Sequence, residues 1–322
     1  MKTTFPMLIR REFWEHRSLW VAPLVWAGVI VFLFGWGMIQ ATGNEHINGM
    51  THAQNVDEIQ GMSEHDREEM RSAIKLPEDR KQTAFALTFL ALTGLISQFA
   101  VIVVFFYLID CLYTERKDRS ILFWKSMPVS DAEVVLSKLS IALIVVPIAV
   151  VLLSAVTEIV LYVFALMRFH GTVIGDIIPD WSFLAWMRSQ VVALGVMLGG
   201  VLWYAPIAGY LLLLSSWAKN KVFLWAVLPP IALIVLEKIF QGSTHVLEFL
   251  GQRFVGYIHT MNLDARAFQA HPGAEELPRA SEMFDSLHLS NIFTSTEMWL
   301  GLVAAAAMVF VAIRLRRYRD ES

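Results

Sequence analysis

Two carboxylates stand against long apolar runs. Asp110 closes LTFLALTGLISQFAVIVVFFYLI, and Glu158 sits inside VVLLSAVTEIVLYVFALM. An acid within hydrocarbon is costly, so such residues mark substrate paths, relays or subunit contacts by default. Glu158 is the candidate for a translocation path or a partner contact. Its alternative is a solvated acid at the outer boundary. Asp110 reads as an inner-boundary acid near Arg116 or Lys117. Other chemistry is missing. No G-x-x-x-x-G-K-[ST] phosphate loop, H-E-x-x-H zinc motif or G-x-S-x-G nucleophile elbow occurs. The histidines other than His16 lie in the outer segments, and none pair more closely than His46 with His52, which is poor spacing for a metal. Cys111, the single cysteine, rules out an internal disulfide and reads as inert packing at a span end.

The elements that must position Glu158 are membrane spans. The chain is 56% hydrophobic and 17% charged, with a mean hydropathy of +0.53. Soluble domains carry about 25% charged residues. A spanning helix needs roughly 20 mostly apolar residues. Six segments qualify: 19–40, 84–110, 134–160, 189–216, 221–238 and 297–314. Pro229 and Pro230 should kink or break the fifth. Gly195, Gly199 and Gly200 would let a neighbouring helix approach the fourth closely. The third stays apolar past Glu158, so the helix either projects beyond the bilayer or turns near Glu158 into the interface. The charged stretch before the first span contains Glu12 and Glu15, and the run after it exceeds a signal-peptide core. It reads as a retained span.

Lys and Arg set the orientation. One set of short pieces carries Lys2, Arg10, Arg11 and Arg17, then Arg116, Lys117, Arg119 and Lys125, then Lys219 and Lys221, then Arg314, Arg316, Arg317 and Arg319. The pieces on the other side are longer and poorer in positive charge. The positive-inside rule then places both termini in the cytoplasm. Outside lie 41–83, where Ser63 and Asp66 resemble a capping box, 161–188, and 239–296.

The connector YTERKDRSILFWKSMPVSD, residues 113–131, is cytoplasmic on this reading. Pro128 ends any helix before it. Ser130 and Glu133 form an S-x-x-E capping box that opens the third span. Between these breaks a short helix carries Ile121, Leu122, Phe123, Trp124 and Met127. Burying one such side chain is worth about 1.5–3 kcal/mol, so a protein groove or the membrane surface should cover them. Glu115, Arg116, Lys117, Asp118 and Arg119 would set the register of a docking partner. The alternative is an interfacial helix with aromatic anchors.

This pattern, with Lys138 at the base of the next span, resembles the cytoplasmic loop of type-2 ATP-binding-cassette (ABC) exporter permeases. LIRREFWEHRSLW resembles the family's amphipathic elbow helix. Phe5, Leu8, Ile9, Phe13 and Trp20 share one helical arc, on which Glu12 intrudes. WLGLVAAAAMVFVAIRLRRYRD resembles the family's last span. The resemblance implies an all-α membrane protein of six transmembrane helices, with an elbow helix, a coupling helix between spans 2 and 3, and two sizeable external loops. It implies an ATPase-subunit interface at Glu115, Arg116, Asp118, Ser120, Phe123, Trp124, Met127 and Pro128, with Glu158 as a possible path residue.

The expected function is that of a permease subunit without catalytic residues, which moves an amphipathic or hydrophobic substrate outward. Expected partners are two copies of a separate ABC ATPase, a second copy of this chain or a close paralogue, and membrane lipid, but no nucleic acid. This chain would bind no cofactor or metal itself, ATP and Mg being held by the ATPase. The expected location is a bacterial inner membrane. A membrane-embedded enzyme and a secondary transporter or channel are the rival classes. The first should show clustered catalytic groups, and the second several buried charges or inverted repeats.

Overall fold

The computed structural model describes residues 4–41, 56–59, 63–121, 126, 129–260 and 289–318. The described elements are helical. α1 (Thr4–Glu15) is followed by α2 (Ser18–Ala41), α3 (Glu64–Ile74), α4 (Glu78–Lys117), α5 (Asp131–Phe169), α6 (Phe183–Trp217), α7 (Val222–Phe240), α8 (His245–Thr260), α9 (Leu289–Thr294) and α10 (Thr296–Tyr318). Among the described residues, α2, α4, α5, α6, α7 and α10 are long and apolar enough to cross a membrane. The chain is therefore an all-α protein of multi-pass character.

Three helices outrun the hydrocarbon. α4 has 40 residues, α5 has 39 and α6 has 35, about 50–60 Å each at 1.5 Å per residue. Hydrocarbon is about 30 Å thick. The excess is polar at the start of α4 and at the start of α5, whereas the far end of α5, LYVFALMRF, stays apolar. α5 runs unbroken through Glu158 to Phe169, so the turn considered for Glu158 is absent. Its one irregularity is a π turn at Ile141–Val145. Pro147 lies just beyond, and a wider turn accommodates a ring that clashes with the regular ladder.

α4, α5 and α6 form the centre, with α2 against α4 and α5, and α10 along α6. Gly209 permits the last contact: a Cβ there would lie 3.1 Å from the Ala305 carbonyl oxygen. The start of α5 and the ends of α4, α6 and α10 meet α1 at one end of the bundle, here the near end. At the far end, Val56, Ile59 and Val173 are buried together beside Met70 and Ile74 of α3. Ser63 caps α3 by accepting from the Asp66 N–H.

The proline pair of α7 and the glycines of α6 each have an identifiable neighbour. α7 neither breaks nor stops at its proline pair. Pro229 and Pro230 free the carbonyls of Trp225 and Ala226, four residues back. The Tyr210 hydroxyl of α6 donates to both, at 3.2 and 3.4 Å. A neighbouring helix thus satisfies the groups that proline orphans.

The neighbours at the glycines of α6 are α8 and α9. α8 packs against the middle of α6. A Cβ at Gly199 would lie 2.9 Å from Ile292 of α9 and 3.2 Å from the Tyr257 hydroxyl of α8. Tyr257 donates to the Val196 carbonyl, Trp203 Nε1 donates to the Arg253 carbonyl at 3.0 Å, and the Tyr204 hydroxyl donates to the Phe254 carbonyl at 2.8 Å. These contacts lie about 20–30 Å along α6 from its start.

Replacing Tyr210 by Phe should destabilise the protein by about 1–3 kcal/mol, the cost of leaving acceptors unmet where no water reaches them. Restoring Pro229 and Pro230 to Ala in the same background should remove most of that loss. Thermal unfolding in detergent reads both outcomes.

Candidate functional site

The two ends of the connector are held by a buried charged cluster at the near end. Lys138 lies in the third turn of α5 and is 1% exposed. Its Nζ donates to Glu12 of α1 and stands 3.0 Å from Glu115 Oε1 near the end of α4. The second oxygen of Glu115 accepts from Arg316 Nη1 of α10. Arg316 Nε reaches Asp131 Oδ1 at 3.1 Å. Four helices thus meet through three carboxylates and two cations. His16 adds its Nε2 at 3.2 Å from Glu12 Oε1, with its ring edge-on to Tyr107.

Local sequence explains the placement. The capping box expected at Ser130 is complete: Ser130 accepts from the Glu133 N–H, and the Glu133 carboxylate accepts from the Ser130 N–H. It fixes where α5 starts, and so which face Lys138 and Asp131 present. Glu12, which spoils the amphipathic pattern of α1, points into the bundle to meet Lys138. Burial alone would raise the pKa of Glu12. Hydrogen bonds from His16 and Lys138, with the charge of Lys138, outweigh burial and lower it to about 2.

The residues expected to face an ATPase divide into two groups. Glu115 and Arg116 are engaged within the chain. Both Glu115 oxygens are paired as above. Arg116 Nη2 donates to the carbonyls of Ser215 and Ala218, at 2.7 and 2.8 Å, where α6 ends. A cation there also suits the negative end of the helix dipole. Lys117, Asp118 and Arg119 are exposed, and Ser120 is half-buried, with its hydroxyl on the Glu115 carbonyl. Asp118 caps α4, and Arg119 adopts a left-handed φ of 56° that turns the chain. Ser120, Ile121 and Ser126 are helical, and Ile121 is buried against the chain itself. Leu122, Phe123, Trp124, Lys125, Met127 and Pro128 lie outside the described residues.

Glu158 is not a solvated boundary acid. It is 1% exposed. Thr93 Oγ1 of α4 donates to its Oε1 at 3.0 Å, and Gln190 Nε2 of α6 donates to its Oε2 at 2.6 Å. Among the described residues no cation pairs with it. One acid therefore joins the three central helices through neutral donors. Sequence reasoning missed both partners because a Thr and a Gln in apolar helices carry no charge signal. Asp110 is exposed and forms no ion pair among the described residues, and Cys111 is buried. Among the described residues no group of His, Cys, Asp and Glu could hold a metal ion.

Removing one member of a buried pair leaves its partner uncompensated, at a cost of about 3–5 kcal/mol. Lys138→Met should show this loss in thermal unfolding. Adding Glu12→Gln should recover part of it, because fewer carboxylates are then stranded. The Glu12 carboxyl is depressed below its ordinary value of 4.5. Its contribution is thus complete above pH 4.5 and disappears as the pH falls towards 2. Glu12→Gln should flatten the stability profile in that window. An unchanged acid profile in the variant would remove Glu12 from the account.

The chain matches no protein-family model, no curated protein and no solved structure.

Proposed function

We propose that the chain is the permease subunit of an ATP-driven ABC exporter, with the connector as the contact for a separate ATPase. The observation that carries this reading is the way the connector is mounted. It leaves α4 at Glu115 and enters α5 at Asp131, and both residues belong to the cluster that also holds α1 and α10. A push on the connector therefore reaches four helices through short, charge-assisted contacts. The ERKDRSILFWKSMPVS pattern supports the same reading, and the positive-inside rule puts this end in the cytoplasm.

Within this reading Phe123, Trp124 and Met127 dock in the ATPase groove. Asp118, with Lys117 and Arg119, sets the register from the exposed turn. Glu115 and Arg116 transmit force into the bundle, and touch the ATPase less than the sequence pattern implies. Glu158 sits where α4, α5 and α6 share a buried polar contact, which suits a residue lining an amphipathic cargo's path. The assembly would comprise two such chains and two ATPases, which bind the ATP and Mg, in a bacterial inner membrane.

Tagged protein purified in mild detergent from its source cells should bring down a soluble phosphate-loop ATPase. Trp124→Ala should weaken that recovery by about 2 kcal/mol or more, as buried anchor residues do. Asp118→Ala should cost about 0–1 kcal/mol, as exposed charges do. Absence of any ATPase from the wild-type preparation would sink the exporter reading. Equal recovery with Trp124→Ala would make the connector a membrane-surface anchor instead.

A further inference from the structure

α2 carries two open clefts on its flank, and they differ in one respect. The far cleft, of about 420 Å³, is lined by Leu33, Phe34, Gly37, Met38 and Phe169 and has no charged group. The near cleft, of about 560 Å³, is lined by Val21, Ala22, Val25, Trp26 and Phe99, with Arg17 and Ser18 at its mouth. Its volume falls within the range of ligand sites, about 300–1,000 Å³. Trp26 and Phe99 stack at 5.0 Å and 13° to close its inner end. From Arg17 to Trp26 the helix rises about 14 Å. That is about half of a 30 Å hydrocarbon core, the depth of one leaflet.

Arg17 is exposed and has no ion-pair partner among the described residues. It sits where α1 ends and α2 starts, beside the aromatic group Phe13, Trp14 and Trp20. Aromatic residues of this kind mark the headgroup level. A cation at that level, above an apolar slot one leaflet deep, complements a phosphate esterified to acyl chains.

We propose that the near cleft binds one anionic phosphoglycerolipid of the leaflet on the side of α1, with its phosphate on Arg17 and Ser18. One acyl chain lies along Val21, Ala22 and Val25 and ends against the Trp26–Phe99 stack. The far cleft accepts chains with less preference for headgroup, because no basic group is among its described lining residues. The site wedges a lipid between α2 and α4 and is independent of whether the chain transports anything.

The test uses the full chain in nanodiscs of equal phosphatidylcholine and phosphatidylglycerol, with retained lipid counted by native mass spectrometry. Wild type should enrich phosphatidylglycerol. Arg17→Ala should lower that enrichment roughly fivefold, the factor matching about 1 kcal/mol per basic side chain near anionic lipid. Arg17→Lys should keep most of it, and unfolding temperatures close to wild type exclude misfolding as the cause. Ala22→Trp, which fills the cleft, should remove one retained lipid of either kind. Gly37→Trp, where an added Cβ meets nothing within 4 Å, should leave the enrichment intact. Equal enrichment in wild type and Arg17→Ala would overturn the proposal. So would efficient disulfide dimers of a Val25→Cys variant, since a second copy would then cover the cleft.

Discussion

Taking Lys138 and Arg316 out of water costs several kcal/mol per ion before any contact is made. Glu12, Glu115 and Asp131 offset that cost only if four helices arrive in one register. The cluster is weak evidence for overall stability, because a well-packed apolar substitute often does as well. Its consequence is specificity of arrangement. α1 cannot rotate without stranding Glu12 beside Lys138, and α10 cannot slide without separating Arg316 from Glu115 and Asp131. The ends of the connector are thereby held, whatever occupies the space between them.

A second constraint governs the middle of the bundle. Backbone groups in hydrocarbon have no water to turn to. The prolines of α7 raise this problem, and a tyrosine side chain from the neighbouring helix answers it. Tyr210 meets the carbonyls freed by Pro229 and Pro230. Tyr257, Trp203 and Tyr204 tie α8 to α6 through carbonyl acceptors. These side chains bring a large apolar body and a single polar tip, which suits a helix contact that needs one donor and little else. Gly199 matters here because any side chain would displace Ile292 and Tyr257.

Much of the plan is legible locally. Hydropathy finds the six long helices, since their apolar windows are continuous. The N-cap at Ser63 and the capping box at Ser130 lie within four residues and need no tertiary knowledge. Helix ends are less legible, because α4 starts in polar sequence held by contacts such as Lys81 with the Asp176 carbonyl. The charged cluster is half legible. Glu12 on an apolar face and Lys138 just inside a span are visible anomalies, but they lie 126 residues apart and nothing local pairs them. Arg316 is hidden among the basic residues of a tail. Glu158 is visible, whereas its burial depends on Thr93 and Gln190, which look ordinary. The contact of α8 with α6 is not legible, because an amphipathic segment between two spans reads the same on a surface as when packed on a neighbouring helix.

The two ends of the molecule are built from different forces, and this bears on how it could work. The near end is held by ion pairs between helices that are distant in sequence, so its parts move together or the pairs break. Deeper in the bundle, α4, α5 and α6 meet at Glu158 through two hydrogen bonds from neutral donors. A hydrogen bond to a charged group contributes about 1.5–3 kcal/mol net. Separating a buried ion pair, which strands a charge, costs about 3–5 kcal/mol. A displacement applied at the connector should therefore pass through the near end as a rigid movement and be taken up around Glu158. Within the proposed exporter reading that order of stiffness matters, because the part that receives the push must not absorb it.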